Sequence, residues 1–195
     1  MEHDDARTRI LDAAEELFYA QGVQSVGMDA VRSASGVTLR RLYQYFPSKD
    51  DLVEAYLLRR DGRWRAALAT YVAGAAVAPK DQLLAVFDWL ARWFAEPGFR
   101  GCAFVNSFGE LGATSPAVAA AARHHKEEFA AYLACLAEAA GAPPATGVHL
   151  TLLAEGAITA AAIHADPTPA TDAQQAARLL LDATAALPAA LLRGE

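Results

Sequence analysis

The stretch ASGVTLRRLYQYFPSKDDL, Ala34 to Leu52, constrains the fold more than any other part of this 195-residue chain. It reads as a tight turn at Gly36, a short helix, a corner at Pro47 and the capped start of a longer helix. Within the short helix, Leu39, Leu42, Tyr43 and Phe46 recur at i, i+3, i+4 and i+7, which predicts one apolar stripe. At 3.6 residues per turn, Arg40, Arg41, Gln44 and Tyr45 then fall on the opposite face. A helix buried on one side, with two guanidinium groups, an amide and a phenol on the other, suits the major groove of duplex DNA. Taken alone, nine residues are as simply explained by an amphipathic surface helix with a solvated arginine pair. The flanking sequence decides between the two.

Upstream lie a helix, a turn and another helix. Asp4 or Asp5 can cap a first helix whose apolar positions are Ile10, Leu11, Ala14, Leu17 and Phe18. Gly22 follows as a C′ glycine would. A second short helix starts near Gly27 and carries Met28 and Val31 inward. Gly36 supplies the sharp turn, Thr38 an N-cap, Pro47 a stop, and Ser48 with Asp51 the cap of a fourth helix. Three short helices with the basic face on the third form the layout of a helix-turn-helix module.

The run RILDAAEELFYAQGVQSVGMDAVRSASGVTLRRLYQYFPSKDDLVEAYL resembles the N-terminal domain of the tetracycline-repressor (TetR) family of bacterial transcriptional regulators. The resemblance is densest from Arg9 to Leu58. Its most specific pieces are Ala13, Ala14, Leu17 and Phe18 in helix one, then Gly22, the SGVT turn and LYQYFPSKDDL. It implies an all-α, nine-helix architecture. A helix-turn-helix domain would span 4–64, with its motif at about 27–46, and a helical ligand-binding and dimerisation domain 65–195. It also implies DNA contacts from Gly27, Thr38, Leu39, Arg40, Arg41, Tyr43, Gln44, Tyr45 and Lys49. Two recognition-helix positions depart from the usual pattern: Arg40 stands where glycine is frequent, and Tyr45 where histidine is. Gly27 stands where a Ser or Thr cap commonly meets phosphate, so that contact would fall to backbone N–H groups, helped by Ser25. Thr38, Tyr43 and Lys49 keep the family's pattern.

A net charge of −6 is unusual for a DNA binder, but its distribution resolves the conflict. Residues 32–65 hold eight of the 17 Lys and Arg against four acids, a local balance of +4. Residues 66–195 hold seven bases and twelve acids, a balance of −5. DNA affinity depends on local basic surface rather than on global charge. The acidic start MEHDDART does not read as a signal peptide, and no apolar run approaches the roughly 20 residues that span a bilayer. A cytoplasmic protein is expected. Cys102 and Cys135 suggest neither a disulfide framework nor a zinc site.

Beyond residue 65 the chain reads as helices joined by Pro and Gly corners. Helix four is expected over 48–73, helix five over 80–95, helix six over 102–112 and helix seven over 115–140. GAPPATG at 141–147 reads as a loop, helix eight as 148–165 and helix nine as 171–192. Phe87, Trp89, Trp93, Phe94, Phe99, Phe104 and Phe108 concentrate aromatic mass that is either core or the wall of an apolar ligand pocket. Asn106 and Glu110 sit four apart on helix six, and Glu155 lies on helix eight. The candidate ligand site is Trp93, Phe104, Asn106, Phe108, Glu110 and Tyr132. His124 and His125 are adjacent and point differently from a helix, and His149 and His164 are far apart, so no metal site is expected. No cofactor is expected either. Small residues in GAITAAAIHA and an apolar stripe of Leu179, Leu180, Ala183 and Leu187 mark helices eight and nine. Burial within one subunit explains them, as does the family's pairing of these helices in a homodimer.

The sequence thus predicts a homodimeric DNA-binding regulator, a repressor that leaves a palindromic operator when an apolar small molecule binds. No catalytic constellation stands out. The alternative is a helical-bundle enzyme or carrier whose basic helix is incidental.

Overall fold

The structure, a computed structural model, describes residues 2–185 and contains nine helices and no strand among them. They are α1 (Glu2–Gln21), α2 (Met28–Ser35), α3 (Leu39–Tyr45), α4 (Lys49–Ala75), α5 (Pro79–Phe94), α6 (Ala103–Leu111), α7 (Pro116–Ala139), α8 (Pro144–His164) and α9 (Thr168–Ala185). The all-α expectation holds. The chain divides into two compact units, Met1–Trp64 with Cys102–His125, and Arg65–Gly101 with Lys126–Glu195. The segment 102–125 belongs to the same unit as the N-terminal helices.

Several helix ends differ from expectation. α1 starts at Glu2, so neither Asp4 nor Asp5 caps it; Asp5 instead pairs with Arg9 at 3.4 Å. The 141–147 loop is shorter than expected, because Pro144 enters α8 in its first turn, where its missing N–H costs nothing. Thr168 and Pro169 likewise open α9. The expected end of α9 at Leu192, and Leu187 of its stripe, lie outside the described residues.

In the first unit, Ile10, Leu11 and Phe18 of α1 pack with Val31, Leu42, Leu52 and Tyr56 in a buried core. The rings of Phe18 and Tyr56 lie 5.6 Å apart. Burial pushes the Tyr56 phenol far above its ordinary pKa, so it stays neutral. Glu15 ties α1 to α4 by accepting from Arg59 at 2.9 Å, Arg60 at 3.0 Å and Arg63 at 3.2 Å.

In the second unit, α5, α8 and α9 pack on one another. α8 turns Leu150, Ala154, Ala157, Ile158 and Ala161 inward and leaves Val148, Leu152, Gly156, Thr159 and Ile163 exposed. The small inward residues permit close approach. A Cβ added at Gly147 would stand 2.8 Å from the Cα of Ala134 on α7. Contrary to the expectation that no stretch could span a bilayer, α8 is long and apolar enough to do so by length and composition alone. Its inward face is packed on α5 and α9.

Candidate nucleic-acid interface

The turn between α2 and α3 follows from three adjacent residues. Gly36 adopts φ +66°, and its N–H donates to the Arg32 carbonyl at 3.1 Å. A side chain there would be strained, so glycine ends α2 at low cost. Val37 turns into the core. Thr38 then caps α3, its Oγ1 accepting from the Arg41 N–H at 3.2 Å.

The outward face of α3 is turned from the expected one by about one residue, roughly 100°. Leu42 and Phe46 are buried as the stripe requires, but Leu39 and Tyr43 are 46% and 45% exposed. Val37, placed just ahead of the cap, contributes the apolar contact that the spacing assigned to Leu39. Arg40 and Gln44 are exposed, whereas Arg41 and Tyr45 are half-buried on the opposite edge. The presented residues are therefore Leu39, Arg40, Tyr43 and Gln44, in place of the expected quartet of Arg40, Arg41, Gln44 and Tyr45.

Two neighbouring helix starts flank this face. Gly27 is the N-cap of α2 in extended backbone, with no side chain to cap it and open space where a Cβ would stand. At the start of α4, Ser48 and Asp51 cap each other. The Ser48 N–H donates to Asp51 Oδ2 at 2.9 Å, and the Asp51 N–H donates to Ser48 Oγ at 3.1 Å. Lys49 follows, half-buried, its Nζ donating to the Gln24 carbonyl at 3.3 Å.

The local charge surplus is smaller at the surface than the sequence implies. Arg59, Arg60 and Arg63 pair with Glu15, Arg65 pairs with Glu128, and Arg32 pairs with Asp29 at 2.7 Å. The Arg32 guanidinium holds the Asp29 carboxyl below its ordinary pKa. Arg40 and Arg41 on α3 and Lys49 at the start of α4 are joined by Arg7 of α1, whose guanidinium lies 5.7 Å from the Phe46 ring centroid.

The six candidate ligand residues do not share a unit. Trp93 is buried in the second unit among Trp89, Phe94 and Phe99, its ring 5.0 Å from that of Phe99. Tyr132, in the same unit, is half-buried, and burial raises its phenol pKa. Phe104, in the first unit, is buried with its ring stacked 3.8 Å from that of His125. Asn106 is exposed rather than set in an apolar interior. Phe108 is 51% exposed rather than a buried wall; its ring lies over Gly112 at the end of its own helix. Glu110 is engaged elsewhere, its Oε2 accepting the Gln24 N–H at 2.7 Å.

Two residues to which the sequence assigns no role, Asp61 and Gln24, organise the first unit. Asp61 is buried on α4 and meets both adjacent histidines, His125 Nδ1 at 2.8 Å and His124 Nε2 at 3.7 Å. Consecutive imidazoles therefore do converge, although on a carboxylate; no group of metal-ligating side chains occurs among the described residues. The signal was present in the sequence: Leu57, Asp61, Trp64 and Leu68 fall on one helical face, so an acid stands in an apolar stripe. Gln24 carried no comparable signal, because its partners lie 25 and 86 residues away.

An all-helical chain that carries a capped, basic, outward-facing third helix over its own small core is a helix-turn-helix DNA-binding protein. Residues 10–56 match the model of the bacterial regulatory proteins of the tetR family. A TetR-family transcriptional regulator from Streptomyces coelicolor is 32% identical, with 93% of this chain and 96% of that one covered at a TM-score of 0.82. The chain belongs to the TetR family of transcriptional regulators. NemR of Escherichia coli, in its reduced form, shares the fold at 21% identity and a TM-score of 0.81, over 90% of this chain and 96% of that one. Among curated relatives, the regulator UidR of Escherichia coli is 37% identical over 62 residues, 32% of each chain. An uncharacterised HTH-type regulator of Mycobacterium tuberculosis is 38% identical over 79 residues, 40% of this chain and 39% of its own length. These curated matches thus span less than half of either relative. The family consists of DNA-binding regulators rather than enzymes, and its members bind operators and small-molecule effectors and act as dimers.

Proposed function

We propose that this chain is a repressor that binds a palindromic operator as a homodimer and is released by a largely apolar small molecule. The observation that carries the reading is the α3 face of Leu39, Arg40, Tyr43 and Gln44, flanked by Gly27, Thr38 and Lys49. Arg40 and Gln44 offer donors to base edges, and Lys49 and the start of α2 offer them to phosphate. Arg41 and Tyr45, half-buried, serve at the edge of this face. Residues 4–64 would carry DNA binding, and 65–101 with 126–195 would carry effector binding and dimerisation.

One short helix reads too few base pairs for useful specificity, and a twofold dimer doubles the reading. The exposed face of α8, with Leu152 at 65% and Ile163 at 74%, and Leu179 of α9 at 71%, supports self-association through these helices. For the effector, the second unit offers the aromatic group around Trp93, together with Tyr132 and Glu155. One Glu155 oxygen takes Lys126 Nζ at 2.5 Å; the other, Oε1, is buried without a hydrogen-bond partner. A ligand donor would satisfy it. Asn106, Phe108 and Glu110 are left out of the proposed site. The effector acts only through different affinities for the bound and released arrangements. A cytoplasmic location follows from work on DNA.

The test is selection of duplexes from a random-sequence pool, followed by footprinting on the selected sequence. Discrete, salt-sensitive protection of two half-sites about one helical turn apart is expected. Protection without sequence preference, or of a single half-site by a monomer, would overturn the reading.

A further inference from the structure

We infer that Glu110 of α6 is a positioning residue for DNA binding, holding the α1–α2 connection so that Lys49 stands ready for phosphate. The inference rests on the proposed phosphate contact of Lys49. It involves only the first unit, to which Gly22, Gln24, Lys49 and Glu110 all belong.

The geometry is a short relay through one residue. Gln24 lies between α1 and α2, with Val23 and Val26 buried on either side. Its backbone N–H donates to Glu110 Oε2 at 2.7 Å, and its side-chain amide donates to the Glu110 carbonyl at 2.6 Å. Its own carbonyl accepts from Lys49 Nζ at 3.3 Å. Gly22 makes room for this arrangement: a Cβ there would stand 2.8 Å from Glu110 Oε1. With φ at +88°, Gly22 also sets the chain direction that brings Gln24 under the carboxylate.

A carboxylate accepting a backbone N–H makes a charge-assisted bond, stronger than a neutral pair. It fixes the orientation of the connection, and so the place where the Lys49 ammonium rests. A long lysine chain otherwise spreads over many rotamers, and ordering them is a cost of binding. Holding the ammonium beside the α4 start lowers that cost. Loss of the Glu110 carboxylate frees the connection and disperses Lys49, while the core beneath, built from Val23 and Val26, stays in place.

The experiment measures affinity for the selected duplex against salt for wild type, E110A, E110Q, K49A and E110A/K49A. E110A should bind about tenfold more weakly, the worth of one charge-assisted hydrogen bond. Its log–log salt slope should shrink by up to about 0.9, one phosphate contact. E110Q keeps an acceptor for the Gln24 N–H and should keep the wild-type slope. In the K49A background, E110A should leave the slope where K49A alone puts it. Should E110A fail to fold, E110D, which withdraws the carboxylate by one methylene, carries the same expectation. A K49A slope equal to wild type removes the Lys49 phosphate contact and this inference with it. A reduced K49A slope with an unchanged E110A slope overturns the role of Glu110 alone, as does a further fall in slope in the double variant.

Discussion

Nδ1 of His125 on α7 lies 2.8 Å from Oδ1 of Asp61 on α4, and both residues are buried. The His125 ring also stacks on Phe104 at 3.8 Å and meets Trp64 edge-on at 5.1 Å. One polar contact, enclosed by aromatic rings, thus joins α4, α6 and α7 within the first unit. A buried carboxylate is tolerated only when hydrogen-bonded, and a buried imidazole gains orientation from the same bond.

Removing one member of this pair strands the other. Asp61→Ala should therefore lower unfolding stability by about 3 kcal/mol. Replacing both, as Asp61→Leu with His125→Phe, should recover part of that loss, since no buried polar partner remains. Denaturant unfolding of the two singles and the double closes the cycle. A D61A variant as stable as wild type would show that the pair contributes little.

At the DNA face, exposure separates the two arginines. Arg40→Ala should lose about 1–3 kcal/mol of discrimination at one base pair of each half-site. Arg41→Ala, starting from a half-buried position, should weaken all sequences more evenly. Binding titrations against single-substitution operator variants decide this, and identical preference profiles for R40A and wild type would count against base reading by Arg40.

The outward face of α8 predicts the effect of a charge placed there. Leu152→Glu and Ile163→Glu should leave helicity intact, shift sedimentation from dimer toward monomer and lower the thermal midpoint only by the lost association. Operator affinity should fall with the loss of the second half-site. A dimer that persists in both variants would place the interface elsewhere.

The corner between α8 and α9 carries a pH dependence of definite sign. Asp166 Oδ1 accepts from the Thr168 hydroxyl at 2.6 Å and the Thr168 N–H at 2.9 Å. These bonds favour the charged form and hold the Asp166 carboxyl below its ordinary pKa. A lowered folded pKa contributes stability that is present above the unfolded value of about 3.9 and is lost as pH falls through the folded value. Thr168→Ala should move the Asp166 titration, read by carboxyl NMR, toward the ordinary value. An unmoved titration would show that Thr168 does not set it.

Local chemistry was readable from the chain itself. Gly36, Thr38, Pro47 and the Ser48–Asp51 pair act over at most three or four residues, as does Gly22 in ending α1, so these roles follow from residue type and spacing. The helical class and the third helix as the presenting element were legible for the same reason. What tertiary packing decided is which edge of α3 faces out. That depends on Val37 taking the core position that periodicity assigned to Leu39, a choice made only when α3 settles on its neighbours. Tertiary packing also brought Glu110 to Gln24, across 86 residues, and both histidines to Asp61. Periodicity assigns a residue to a helix face, but only the packed structure determines what that face meets. Glu110 therefore read as a ligand contact in the sequence and stands as a hydrogen-bond anchor in the fold.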